Sequence, residues 1–265
     1  MALPRIHFPH ALTLGEELDL PAAASRHIQV LRMQPGESVC LFPGAEPNSN
    51  QEYTADIVAI SRQTVRVRVL NAEEHSREIP TRVHLVVGMP SNERMDWLVE
   101  KATELGVYSI SPVMTERSVL RLKGERADKK REHWQAIATA ACEQSGRNTV
   151  PIIHPVQSLD GFLKNESYRV LQADTTPQPP ADRTTSLRCI LSLRTGTQTL
   201  ANRLHSQHPA ANMCFVSGPE GGLSATEEEA LIAHGFLATT LGARVLRAET
   251  APLAVLAHIA LTPAD

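Results

Sequence analysis

Two hydrophobic periodicities divide this sequence, and the change between them limits what it can fold into. Up to residue 72 the apolar residues tend to alternate, as in Val65, Val67 and Val69 with Arg66 and Arg68 between them. A period of two gives a strand with one buried and one solvated face. Strand-like runs at residues 39–42, 53–60 and 64–70 are punctuated by Pro35-Gly36 and Pro43-Gly44, with one short helix near 22–31. That pattern predicts a small β-barrel. From Val83 onward short apolar runs alternate with helical ones. Runs at 83–87, 109–113, 152–155, 168–173, 187–193, 213–217 and 237–241 read as strands. Asn92 is expected to cap a helix whose apolar face is Met95, Leu98, Val99, Ala102 and Leu105, stopped by Gly106. Further helices are expected at 127–142, burying Trp134, Ile137, Ala138 and Ala141, and at 224–234 and 251–261. Repeated strand-then-helix units predict an α/β domain with a parallel sheet flanked by helices. The charged stretch 73–80 is the candidate linker, giving domains at 1–72 and 73–265.

No run approaches the about 20 apolar residues of a membrane span. The N-terminus is too short and charged for a secretory signal, and Cys40, Cys142, Cys189 and Cys214 lie far apart without metal-ligand spacing. These features predict a cytoplasmic protein with no metal. The net charge of −3 argues mildly against a nucleic-acid partner. Its distribution argues otherwise, because residues 117–131 hold seven basic side chains against Glu125 and Asp128. That stretch suits either phosphate contacts or a solvated helix start. Residues 175–186 and 195–211 read as surface connections, and His205 and His208 as exposed.

Two loops near the C-terminus carry the chemistry. Gly218-Pro219-Glu220-Gly221-Gly222 lies between a strand and a helix, with Ser224 and Glu227 forming a capping box at the helix start. It lacks the Lys-Ser/Thr of a phosphate-binding loop and the spacing of a dinucleotide fingerprint. The second loop, 241–250, sets Arg244, Arg247 and Glu249 ahead of an almost wholly apolar helix. Strand–loop–helix junctions expose backbone N–H groups to ligands, so two side by side predict a small-molecule pocket with a charged rim. Turns without a ligand, and a structural pairing of Glu249 with Arg244 or Arg247, are the competing readings.

These segments resemble the RsmE family of methyltransferases. The resemblance rests on Gly-Pro-Glu-Gly-Gly-Leu-Ser at 218–224 and Leu-Gly-x-Arg-Val-Leu-Arg-x-Glu-Thr at 241–250. It extends through Pro4-Arg5-Ile6, Val30-Leu31-Arg32-Met33, Glu104-Leu105-Gly106-Val107, Glu116-Arg117 and Cys142-Glu143-Gln144-x-Gly146-Arg147 to nearly the whole chain. It implies an N-terminal PUA-like RNA-binding barrel and a C-terminal SPOUT domain threaded into a deep trefoil knot, a topology that general connection rules disfavour. It further implies a homodimer that uses S-adenosylmethionine, without a metal, to methylate N3 of a uridine in 16S ribosomal RNA. Cofactor contacts would come from Gly218, Glu220, Gly221, Gly222, Leu241, Gly242, Val245 and Leu246. Arg247 is the first candidate to stabilise the uracil anion, with Arg244 and Glu249 beside it. Arg5, Arg32, Arg117 and Arg147 are the candidate RNA contacts.

Overall fold

The structure is a computed structural model that describes residues 3–44, 50–164, 186–205 and 212–262. The expected strand at 168–173, most of the connection at 175–186 and His208 lie outside them. The chain forms two compact units: Met1–Glu78 with Thr139–Val150, and Ile79–Ala138 with Pro151–Asp265.

The first unit carries β1 (Arg5–His7), β2 (Glu17–Asp19), α1 (Ala22–Val30), β3 (Ser38–Phe42), β4 (Gln51–Ile60) and β5 (Val65–Glu74), in one sheet of order β1-β3-β4-β5-β2. The alternation in β5 is realised: Val65, Val67 and Val69 are buried with Ile6, Ile28, Val39 and Leu41, while Arg66 and Arg68 face solvent and pair with Asp19 and Glu17. The three-residue strands β1 and β2 left too little pattern to be read from sequence. This unit also takes back residues 139–150, which the sequence-based division assigned to the second domain. The reason is ionic. Arg5 Nη2 donates to the Arg147 carbonyl at 3.2 Å, Arg77 Nη1 to the Gly146 carbonyl at 3.1 Å, and Arg147 pairs with Glu78.

The second unit is built on β6 (Arg82–Gly88), α2 (Asn92–Glu104), β7 (Ser109–Met114), α3 (Glu125–Ser145), β8 (Ile152–Ile153), β9 (Gln157–Ser158), α4 (Leu159–Lys164), β10 (Ser186–Leu191), β11 (Gln198–Thr199), α5 (Leu200–His205), β12 (Asn212–Ser217), α6 (Ala225–Ala233), β13 (Leu237–Thr240) and α7 (Thr250–Leu261). The last turns of α3 belong to the first unit. The strands pair in parallel in the order β11-β13-β10-β12-β6-β7-β8, with β9 also on β7. Successive residues feed two cores. Val83, Leu85, Val87, Met213 and Phe215 pack with Leu98 of α2, Trp134 of α3 and Leu256 of α7, while Val86, Cys214 and Val216 pack with Phe162 of α4 and Leu231 of α6. A sheet buried on both faces explains why its strands read as continuous apolar runs rather than alternating ones.

One expectation is corrected. The N-cap of α2 is Ser91, not Asn92, and its side chain makes no cap hydrogen bond. The apolar helix α7 is covered on one face, through Pro252, Leu253, Val255 and Leu256, whereas Leu261 is 77% exposed.

Candidate functional site

Parallel strands direct their C-terminal ends to one edge, where the following loops converge. Four such loops meet here, after β6, β10, β12 and β13. Register places Ser217 beside Val87 and Leu191 beside Thr239, so Leu191, Ser217 and Thr239 stand together at this edge. Above them lies a cavity of about 530 Å³. Its walls are residues 218–222 after β12, Leu241 and residues 244–248 after β13, Ser192 and Leu193 after β10, Arg94 in α2 and Ala251 in α7. Sites for small molecules commonly enclose about 300–1,000 Å³. Both predicted glycine loops therefore join in one cavity. Of the residues expected there, Gly242 and Glu249 are not among the wall residues.

Missing side chains make this packing possible. A Cβ on Gly88 would lie 2.7 Å from Pro219 Cδ and 2.9 Å from Pro219 N, so the bare end of β6 lets the 218–222 loop rest on it. A Cβ on Gly218 would meet Leu223 N at 2.6 Å. Gly222 (φ +70°) and Gly242 (φ +113°) hold left-handed backbone that other residues adopt only with strain. The capping box is present: Ser224 Oγ accepts from Glu227 N–H, and Glu227 accepts from Ser224 N–H at 2.9 Å. From behind, Arg117 donates to the Gly221 carbonyl at 2.9 Å and to Leu223 O at 3.3 Å. Arg117 thus braces the cavity loop.

The charged groups separate by role. Arg244 and Arg247 line the cavity and are exposed; among the described residues no hydrogen bond or ion pair engages either guanidinium. Glu220 is turned toward α2, where it accepts from Ser91 N–H at 3.0 Å and from Arg94 Nη1 at 3.1 Å. Burial opposes ionisation of Glu220, but these donors and the Arg94 charge outweigh it, holding the carboxyl below its usual range. Glu249 is only 7% exposed. Its Oε1 lies 3.9 Å from Arg94 Nε, and its Oε2 is buried without a partner. The pairing of Glu249 with Arg244 or Arg247 is therefore replaced by one with Arg94, a residue that sequence reasoning missed. A signal existed: Arg94 is a cation in the first turn of a helix, where the helix dipole disfavours positive charge unless carboxylates compensate it. The buried Ser217 hydroxyl, also in the cavity wall and without a partner, was missed too.

Of the arginines expected on RNA, Arg5 and Arg147 meet inside the first unit, where Arg5 Nη2 donates to the Arg147 carbonyl at 3.2 Å. Arg5 pairs with Glu52 at 2.6 Å and stacks on Phe42, and Arg147 is 4% exposed with Nε 3.1 Å from Glu78 Oε1. Both guanidiniums are consumed inside the first unit, so neither is carried forward as a phosphate contact. Arg32 is exposed, in left-handed backbone (φ 56°) just after α1. Burial pushes the Cys142 thiol up to about 12, away from the thiolate that a nucleophile needs. Among the described residues there is no cluster of three metal-ligating side chains, and no helix is long and apolar enough to cross a membrane.

Comparison with known proteins adds independent findings. A family model described as an RNA methyltransferase domain matches residues 77–260, and one described as an RNA methyltransferase PUA domain matches residues 20–70. The ribosomal RNA small subunit methyltransferase E of Bacillus subtilis is 31% identical over 239 residues, covering 88% of this chain and 84% of its own length. The protein of the same name from Buchnera aphidicola (Schizaphis graminum) is 28% identical, with 99% and 98% covered. A crystal structure of the Neisseria gonorrhoeae protein of that name, bound to S-adenosyl methionine, superposes with a TM-score of 0.83 at 36% identity, covering 97% of both chains.

Proposed function

The chain belongs to the RNA methyltransferase family, and on that premise we propose that it transfers a methyl group from S-adenosylmethionine to N3 of a uridine in 16S ribosomal RNA. The observation that carries this reading is the cavity itself: a glycine-shaped cradle at the C-terminal edge of a parallel sheet, rimmed by two unengaged arginines. The residues present fit the donor. The backbones of 218–222 and 241–246 offer N–H and C=O groups for its adenine and ribose, Leu191, Leu193 and Leu241 supply apolar walls, and the unpartnered Ser217 hydroxyl supplies one further polar contact.

When bound, S-adenosylmethionine supplies a methyl group already activated on a sulfonium. The rest falls to this chain. Uracil N3 is protonated at neutral pH, so the site must favour the anion. Arg247 and Arg244 can donate to the uracil oxygens, where negative charge accumulates as the proton leaves. Glu249, buried beside them in sequence with one oxygen unpaired, is the acceptor in reach of the loop. The walls hold donor and base in line, which accounts for a large part of a transfer rate. Because N3 lies on the pairing edge, the uridine must be unpaired to enter.

Three further features belong to the same proposal. The first unit is a PUA-like barrel that adds RNA contacts, with Arg32 the exposed basic candidate. The C-terminal segment is threaded as a knot of the SPOUT type. The active form is a homodimer in the cytoplasm, supported by the exposed apolar side chains Leu193 (67%) and Val245 (77%) at the cavity rim. The test is nucleoside mass spectrometry on 16S RNA from a strain lacking the gene. The expected result is loss of 3-methyluridine alone, restored by the wild-type gene. Loss of a ribose 2′-O-methyl group instead, or no loss, contradicts the reading.

A further inference from the structure

The first turn of α2 holds a cation that the cavity chemistry described so far does not use. A positive side chain at a helix N-terminus is disfavoured by the dipole, so Arg94 stays there because something offsets it. Two carboxylates do. Glu220 Oε1 stands 3.1 Å from Nη1 and Glu249 Oε1 stands 3.9 Å from Nε. They come from different connections, Glu220 from the loop after β12 and Glu249 from the residue ahead of α7, while Arg94 itself follows β6. One guanidinium therefore joins the two cavity loops to a third element.

The two carboxylates depend on it unequally. Glu220 keeps the Ser91 N–H as a second donor and is partly solvated, with 29% of its side chain exposed. Glu249 has no such reserve. It is 7% exposed, its Oε2 has no partner, and Arg94 is the one cation within 4 Å of it among the described residues. A buried carboxylate that loses its one cation loses the contact that holds it in place. Removing the guanidinium thus acts mainly on Glu249 and spares the cradle.

We propose that Arg94 is a positioning residue, acting through Glu249: it fixes that carboxylate at the mouth of α7. This rests on the functional reading above. Arg94 need not touch the donor or the base to be required for transfer.

A mutant cycle tests it, using the full-length protein, small ribosomal subunits from the deletion strain and labelled S-adenosylmethionine. Arg94→Ala, Glu249→Gln, the double variant and Arg94→Lys are compared for cofactor Kd by calorimetry and for the single-turnover transfer rate, with Arg94→Gln as a second removal of the charge. The expected result is a cofactor Kd within threefold of wild type and a transfer rate lowered at least tenfold in Arg94→Ala. The double variant should be within twofold of the slower single variant, and Arg94→Lys should recover part of the rate. Losses that multiply in the double variant, or a weakened Kd with an unchanged rate, overturn the proposal. A wild-type protein that transfers no methyl group overturns the functional reading and this role with it. An active wild type beside an unimpaired Arg94→Ala and Arg94→Gln overturns this role alone.

Discussion

Arg244 and Arg247 come from one short stretch and both line the cavity, yet their geometry alone does not divide the work between them. Position relative to the buried Glu249, two residues on, favours Arg247 as the group that stabilises the developing anion. Replacing it with alanine should leave cofactor affinity near normal and lower turnover about 10²–10³-fold, the usual consequence of removing one such donor. Calorimetry beside a transfer assay checks this, and unchanged turnover would remove Arg247 from the mechanism. Arg147 makes the opposite case. Its guanidinium is 4% exposed and committed to Glu78, 69 residues earlier. Arg147→Ala leaves the partly exposed Glu78 carboxylate without its buried cation and should destabilise the first unit by about 1–3 kcal/mol, read by chemical denaturation, rather than weaken RNA binding selectively. The sequence shows that an arginine follows Gly146, but not that Glu78 closes on it. Residue roles that hang on partners far along the chain, as for Arg147, Arg5 and Arg94, were for that reason the least legible.

At the scale of elements, local chemistry was readable wherever the signal was local. The capping box of α6 lies within four residues, and both its hydrogen bonds form. The strand runs of the parallel sheet were found because burial on both faces demands unbroken apolar sequence. The two-residue strands β9 and β11 and the short helices α4 and α5 carry too few residues for any period to show, whereas β8 falls within the expected run 152–155. The cradle loop depends on a glycine outside it. Gly88, at the end of β6, has no special φ and no turn context, so nothing marked it in the sequence; only its 2.7 Å virtual clash with Pro219 does. Gly88→Ala should push the 218–222 loop outward and weaken S-adenosylmethionine binding tenfold or more, with a melting temperature changed by a few degrees. An unchanged Kd would show that the loop position does not set cofactor affinity.

Across the whole molecule, the binding edge and the stability of the sheet are separable, because they sit at opposite ends of the strands. His84 lies near the start of β6, 7% exposed, with Nδ1 2.8 Å from Ser109 Oγ. Burial lowers its pKa from 6.5 to about 4, assisted by His154 and Arg82 and opposed by a hydrogen bond with Asn212. At pH 7 it is neutral folded or unfolded. As pH falls through 6.5 the unfolded chain takes up the proton first, so stability declines until the folded group titrates near 4, by on the order of 3 kcal/mol in all. Melting temperatures between pH 7 and 4.5 should therefore fall more steeply for wild type than for His84→Gln; parallel curves would contradict this. None of it should alter cofactor binding at pH 7.

The central claim is that the glycine cradle and its arginine rim deliver a methyl group to one pyrimidine nitrogen. It is tested most directly by incubating the purified protein with isotopically labelled S-adenosylmethionine and small ribosomal subunits from the deletion strain, then digesting the RNA and locating the label. The account predicts label in 3-methyluridine, approaching one per 16S RNA, and none after Arg247→Ala. Label on a ribose oxygen, on another base, or nowhere with a competent donor and substrate would contradict it.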